Sequence, residues 1–276
     1  MNTLTKYAFF TMDIESFYDT SCVRKRNPKR IGNNCYDGVE NYLNILDKYN
    51  IKSTLFTVDS SLDDNVDTLK NAIENGHKVS LHGYLHDSIL NIDNEEFEDK
   101  LVKAKNRFKD ILNIDVEGFR APMFKINNYK LNIIKKHFKY DSSALYNTNK
   151  LDELKSYKEL NDNIYTDNLF YEIPPTSFKG SNIGGGAFMR LTPWVIMKHK
   201  IMKYLKNHNS YVFYIHPFEL SKSKKPNIKI FNPLDIIYLK ANFKSYPKKI
   251  EWLINYLKDN RFEFITIEDY IKKATA

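Results

Sequence analysis

The chain has 276 residues, 42% of them hydrophobic and 14% aromatic, which suffices for one large buried core and argues against disorder. No stretch approaches the roughly 18 apolar residues of a membrane span, and the N-terminal apolar run is too short and polar for a signal peptide. The net charge of +8 comes from lysines spread along the chain, with no basic block interleaved with glycines or aromatics, so nucleic-acid binding is not expected.

With no repeat, low-complexity segment or linker, residues 1–276 read as a single domain, and the cytoplasm is the expected location. Cys22 and Cys35 lack metal-ligand spacing and read as unpaired surface thiols in a reducing compartment. The basic balance suits anionic substrates, or contact with a membrane surface if the substrate is lipid-linked.

In chain order, Tyr7–Met12, Ser53–Val58, His77–Leu81, Val116–Phe119, Phe170–Ile173, Tyr211–Ile215 and Phe262–Ile267 predict strands, with a weaker one around Phe138–Tyr140. Between them, apolar residues at three- and four-residue spacing predict helices. Val39, Tyr42, Leu43 and Leu46 mark one; Phe97, Leu101, Ala104, Phe108 and Leu112 a second; Ile250, Leu253, Tyr256 and Leu257 a third. Gly76 is a helix-stop signal. The alternation predicts an α/β fold with a mainly parallel sheet, closed into a distorted (β/α) barrel of about seven strands, whose chemistry lies at the C-terminal strand ends.

Polar groups collect at those ends. The first strand runs into Asp13-Ile14-Glu15, two carboxylates that project to one side of an extended backbone. The third runs into His82-Gly83-Tyr84-Leu85-His86, where two imidazoles four apart on one face of a helical turn suit joint coordination of a transition metal. Arg120, among apolar neighbours, needs an anionic partner such as Asp13 or Glu15. Asp141 follows Tyr140, and His216 ends an almost wholly apolar strand as either a satisfied core residue or an acid/base.

Taken in order, TMDIE, HGYLH, RAPMF, YDSS and IHP resemble the motif series of the polysaccharide deacetylases, carbohydrate esterase family 4, with the NodB-type domain. Glu172–Thr176 and Gly184–Phe188 resemble the subgroup of exopolysaccharide and O-antigen biosynthesis. The resemblance implies a divalent metal, usually Zn2+, and N-deacetylation of an N-acylated saccharide. Ile14 stands where the commoner motif has a second aspartate, so the implied ligands are Glu15, His82 and His86.

In the implied mechanism Asp13 is the base, Arg120 orients it, and the Met123 N–H holds the oxyanion. His216 is the acid, oriented by Asp141. The same site would serve a deformylase or another small-amide hydrolase, and a non-catalytic sugar-binding barrel is the other reading. Tyr36, Tyr146 and Phe178 are candidate sugar-stacking aromatics, though among 19 Tyr and 18 Phe core packing accounts for each as well. Gly184-Gly185-Gly186 lacks a following GK[ST] and reads as a flexible loop over the barrel mouth.

Overall fold

The computed structural model describes residues 5–25, 33–145, 151–226 and 232–275. Its organising element is β1 (Lys6–Ile14), a near-continuous apolar run suited to a strand covered on both faces. Alternation divides its side chains. Ala8, Phe10, Met12 and Ile14 pack outward into the cluster shared with the helices, whereas Tyr7 and Phe9 belong to a separate interior cluster. Thr11 and Asp13 continue the interior row towards the strand's C-terminal end.

The remaining strands are β2 (Ser53–Thr57), β3 (Lys78–Leu81), β4 (Gly118–Phe119), β5 (Tyr140–Asp141), β6 (Lys158–Glu159), β7 (Tyr165–Thr166), β8 (Tyr171–Glu172), the hairpin β9 (Ser177–Phe178) and β10 (Ser181–Asn182), β11 (Ser210–Ile215) and β12 (Phe262–Phe264). The main sheet runs β11-β1-β2-β3-β4-β5-β8-β7-β6, with β12 against the start of β1. From β11 to β8 every neighbour is parallel; β7 and β6 add antiparallel. The result is a mixed α/β fold on a curled half-barrel sheet.

Crossover helices cover the outer face, as parallel pairing requires. They include α2 (Asp37–Asp47), α3 (Val66–Glu74), α4 (Asn94–Leu112), α5 (Asn128–His137), α7 (Trp194–Leu205) and α10 (Tyr246–Asp259); the short α1 (Ser21–Arg24), α6 (Gly186–Leu191), α8 (Pro217–Leu220) and α9 (Pro233–Lys240) lie between. The predicted apolar stripe of α4 (Phe97, Leu101, Ala104, Phe108, Leu112) is wholly buried. Asp93 caps its N-terminus by accepting from Glu95 N at 2.8 Å, and Asn113 closes it in the left-handed conformation.

Three expectations change. The strand expected to reach Ile267 stops at Phe264, because Thr266 and Asp269 form a reciprocal cap that starts α11 (Ile267–Thr275): Asp269 N donates to Thr266 Oγ1 at 3.2 Å, and Thr266 Oγ1 to Asp269 Oδ2 at 2.7 Å. This helix fills the interior, placing Tyr270 and Ile271 beside Tyr7 and Phe9. Its Glu268 accepts from Thr54 at 2.8 Å, Ser80 at 3.0 Å and Tyr140 at 2.6 Å, and burial pushes that carboxyl up.

The sheet also does not close as a continuous ladder. Between β8 and β11 the gap is bridged by irregular backbone: Thr176 N donates to Val212 O at 3.1 Å and Tyr214 N to Gly184 O at 2.7 Å. Gly184–Gly186 is therefore a buried seam instead of a flexible loop. A Cβ on Gly185 would lie 2.1 Å from Tyr214 O, and its φ of +128° disfavours any side chain. Finally, Cys22 and Cys35 form no disulfide, as expected, but are buried, in a cluster with Phe17, Tyr18, Val23, Phe218 and Leu239. Among the described residues no helix is long and apolar enough to cross a membrane.

Candidate active site

β1 delivers the first two carboxylates. Ile14 points into the outer core, and this outward turn leaves Asp13 and Glu15 together on the inner side, 1% and 3% exposed. Beyond Glu15 a reciprocal cap turns the chain, with Ser16 N donating to Asp19 Oδ2 and Tyr18 N to Ser16 Oγ, each at 3.2 Å.

Arg120 follows β4 and is fully buried. Its Nη1 donates to Asp13 Oδ1 at 2.6 Å and Thr11 Oγ1 at 2.9 Å, its Nη2 to Ser142 Oγ at 2.7 Å, and its Nε to Ser142 O at 3.2 Å. The guanidinium lies 4.0 Å from the Phe56 ring centroid. Every polar face of this buried cation is thus satisfied, so Asp13 gains a fixed counter-ion and keeps Oδ2 free of it.

His82 stands at the end of β3 and His86 in the following turn. The segment is not helical, contrary to expectation: Gly83, at φ +82°, breaks the path, and a Cβ there would meet Pro122 at 2.8 Å. The two rings still converge, with centroids 5.3 Å apart. His82 Nδ1 lies 2.9 Å from Arg120 O, which fixes the proton on Nδ1 and leaves Nε2 as a lone-pair donor. Burial lowers the His82 pKa to about 4, against the opposing pull of Asp13, so the ring is neutral. His86 shifts the other way, because Glu15 outweighs its burial.

One ligand atom each from Glu15, His82 and His86 can be chosen so that all lie within 4.8 Å of one another. Glu15 Oε2 sits 2.5 Å from His86 Nε2 without the alignment of a hydrogen bond, and His86 Nδ1 is buried without a partner. Buried polar atoms are rarely left so. Burial would raise the Glu15 pKa, but the charges of His86, His216 and His82 bring it down to about 2. An ionised carboxylate with a neutral imidazole is the donor chemistry of a divalent transition metal, and the residues present fit one.

His216 lies just after β11. Its orienting partner is Glu219, not the expected Asp141: Nδ1 is 3.1 Å from Glu219 Oε2. Glu219 is itself buried and accepts from Arg190 Nε at 2.9 Å; Arg190 donates further to Tyr238 O and Ala241 O, each at 2.6 Å, and lies 4.1 Å from the Phe243 ring centroid. Burial would lower the His216 pKa, but Glu15, Glu219 and Asp13 raise it to about 9, so the ring carries a proton at neutral pH. The same pairing, with Arg190, holds Glu219 low in spite of its burial. Asp141 is engaged elsewhere, accepting from Ser143 Oγ at 2.6 Å and Ser143 N at 3.1 Å. Burial raises it, and burial with the Asp141 charge pushes neighbouring Glu172 well up.

Met123 and Phe124 both have positive φ, 58° and 54°, after Pro122. Two successive non-glycine residues in this region are uncommon and mark a strained turn beside the site. Tyr36 donates to Ser61 at 2.7 Å and Phe178 packs edge-on against Tyr204, so both have structural partners; Tyr146 lies outside the described residues. Glu219 and Arg190 are the residues sequence reading missed. The spacing His216–Glu219, three residues across a proline that opens a helical turn, was the available signal.

Residues 32–139 match the family model described as polysaccharide deacetylase, and residues 151–272 match a domain of unknown function, DUF3473. A peptidoglycan deacetylase of Helicobacter pylori is 30% identical over 111 residues, 40% of this chain and 38% of the relative. Chitin deacetylase 1 of Cryptococcus neoformans is 29% identical over 86 residues, 31% of this chain and 18% of the relative. The chain thus spans less than half the length of either. A Mycobacterium smegmatis structure described as a polysaccharide deacetylase superposes with a TM-score of 0.67 at 16% identity, covering 99% of this chain and 91% of that one, and shows the shared fold. On residues 32–139 and the curated relatives, the chain carries a polysaccharide deacetylase domain of the NodB type, carbohydrate esterase family 4.

Proposed function

We propose that this chain is a metal-dependent N-deacetylase acting on an amino sugar of a polysaccharide or its biosynthetic precursor. One observation carries the reading: the convergent donors Glu15, His82 and His86 lie beside an Arg120-anchored Asp13 and a protonated His216. The peptidoglycan and chitin deacetylases among its relatives support the substrate class.

Glu15, His82 and His86 would hold the metal. A divalent ion such as zinc, when bound, lowers the pKa of a coordinated water towards about 7 and polarises the amide carbonyl. The protein's own groups do the proton work. Asp13 accepts the proton of the water whose oxygen attacks the acyl carbon, while Arg120 holds its carboxylate in place. The Met123 N–H steadies the developing oxyanion. As the C–N bond breaks, His216 passes its proton to the departing amine, leaving a free carboxylic acid and the amino sugar. Each proton-transfer role is worth about 10²–10⁴ in rate.

The test measures acetate release from N-acetylated chitooligosaccharides and glycan strands, with metal content read in parallel. Asp13→Asn is expected to lower turnover at least about 10²-fold while retaining its metal, and His82→Ala to lose the metal. Deacetylation by Asp13→Asn at the wild-type rate would remove that residue from the role. Acetyl and formyl donors assayed side by side separate the deacetylase from a deformylase.

A further inference from the structure

A cavity of about 490 Å³ lined by Ser21, Arg24, Asp87, Ser88, Met123 and Lys125, among others, shares Met123 with the proposed site. Three of the four segments lining it continue ones that carry proposed site residues, and the fourth supplies Lys100 from α4. Residues 21–25 follow the Asp13–Glu15 strand end, 87–92 follow His86, and 123–125 follow Arg120. Because Met123, the proposed oxyanion donor, also lines the cavity, a group held there can belong to the substrate whose amide reacts.

Its lining is unusual for a neutral sugar. Saccharide faces without charge are commonly held on aromatic rings, and this chain is rich in them, yet among the described residues no aromatic one lines the cavity. Among the described residues four cations do, Arg24, Lys25, Lys100 and Lys125, against the one carboxylate of Asp87. Arg24 is ion-paired with Asp87, and Lys100 with Glu96 at 2.6 Å. Neither Lys25 nor Lys125 has a carboxylate within 4.0 Å among the described residues, and both are exposed at the cavity edge. Two ammonium groups without a carboxylate partner among the described residues, on one concave surface that also carries the Asp87-paired guanidinium of Arg24, suit a charged oxyanion.

We propose that this cavity binds a phosphate group borne by the amino-sugar substrate, so that the preferred substrate is a sugar phosphate or diphosphate and not a neutral glycan. The proposal rests on the deacetylase reading. It also implies that a phosphoryl-transfer reaction supplies the substrate.

The experiment compares kcat/KM for methyl N-acetylglucosaminide, N-acetylglucosamine 1-phosphate, UDP-N-acetylglucosamine and a short polyprenyl-diphosphate N-acetylglucosamine, using the metal-loaded full chain. It is run on the wild type and the double variant Lys25→Gln/Lys125→Gln. The phosphorylated donors are expected to exceed the neutral glycoside at least about tenfold, a ratio that falls about tenfold in the variant and shrinks as salt rises. The ratio is taken within each variant, so a change in folded fraction cancels. Whichever of the nucleotide- and polyprenyl-linked donors is faster identifies the carrier.

A neutral glycoside used as well as its phosphate, or a ratio the double variant leaves intact, overturns the proposal. Calorimetric binding of glucosamine 1-phosphate to the same proteins separates the two readings. Binding lost in the variant with no deacetylation of any donor retains the anion site and discards the activity. Deacetylation without charge preference and without variant-sensitive binding does the reverse.

Discussion

At the scale of single residues, the proposed site is a set of charges kept in unlike states by their neighbours. His82 is neutral because it is buried, and His216 is charged because Glu15 and Glu219 outweigh its burial. If deacetylation proceeds as proposed, with its proton drawn from His216, it is expected to be lost as the pH rises through about 9, where the ring gives that proton up. Replacing Glu219 with Gln keeps an acceptor near Nδ1 but removes one of the charges that raises the ring. The alkaline limb of the kcat profile then moves to lower pH and kcat at pH 8 falls about tenfold. A Glu219→Gln profile that overlays the wild type would show that Glu219 only fills space. Much of this chemistry was legible. The two-residue spacing of Asp13 and Glu15 foretold their shared direction, and an arginine amid apolar residues foretold an anionic partner. Glu219 was hidden because Asp141 and Glu219 are both plausible carboxylates in sequence, and only tertiary packing decides which meets the imidazole.

At the scale of elements, local signals served wherever one periodicity ruled and failed where the backbone left regular geometry. The stripes of α2, α4 and α10 and the strand character of β1, β2 and β11 followed directly from alternation and three-to-four spacing. The HGYLH turn misled because i, i+4 spacing is equally met by a tight non-helical reversal about a left-handed glycine. The triple glycine misled for a related reason: lack of side chains permits mobility, but it also permits close backbone contact, and here the contact dominates. Gly185→Ala is accordingly expected to destabilise the chain by about 2–4 kcal/mol, since it combines a forbidden φ with a 2.1 Å clash against Tyr214 O. Urea denaturation would show it, and an unchanged midpoint would mean that the seam is loose.

At the scale of the whole molecule, the two matched segments share one sheet. β1 stands between β2 and β11, and its first residues pair with β12, so its partners come from both halves of the chain. Residues 1–145 alone would expose the β11 edge of β1 and the interior cluster now covered by α11. Such a fragment is expected to lack cooperative thermal unfolding, and a sharp transition by circular dichroism would count against a shared core. The general base and metal ligands proposed in the first half of the chain and the acid proposed in the second are therefore expected to come into register only when the entire sheet forms.

The buried thiols carry a consequence for dynamics. Cys22 and Cys35 lie in the small cluster that locks the turn after Glu15 to Phe218, two residues beyond His216. An alkylating reagent reaches them only when that cluster opens, so their labelling rate is a clock for partial unbuttoning of the catalytic rim. If Glu15, His82 and His86 are clamped by a metal, loading the protein should slow that clock well before any change in global unfolding is visible, giving a readout of site assembly that needs no substrate.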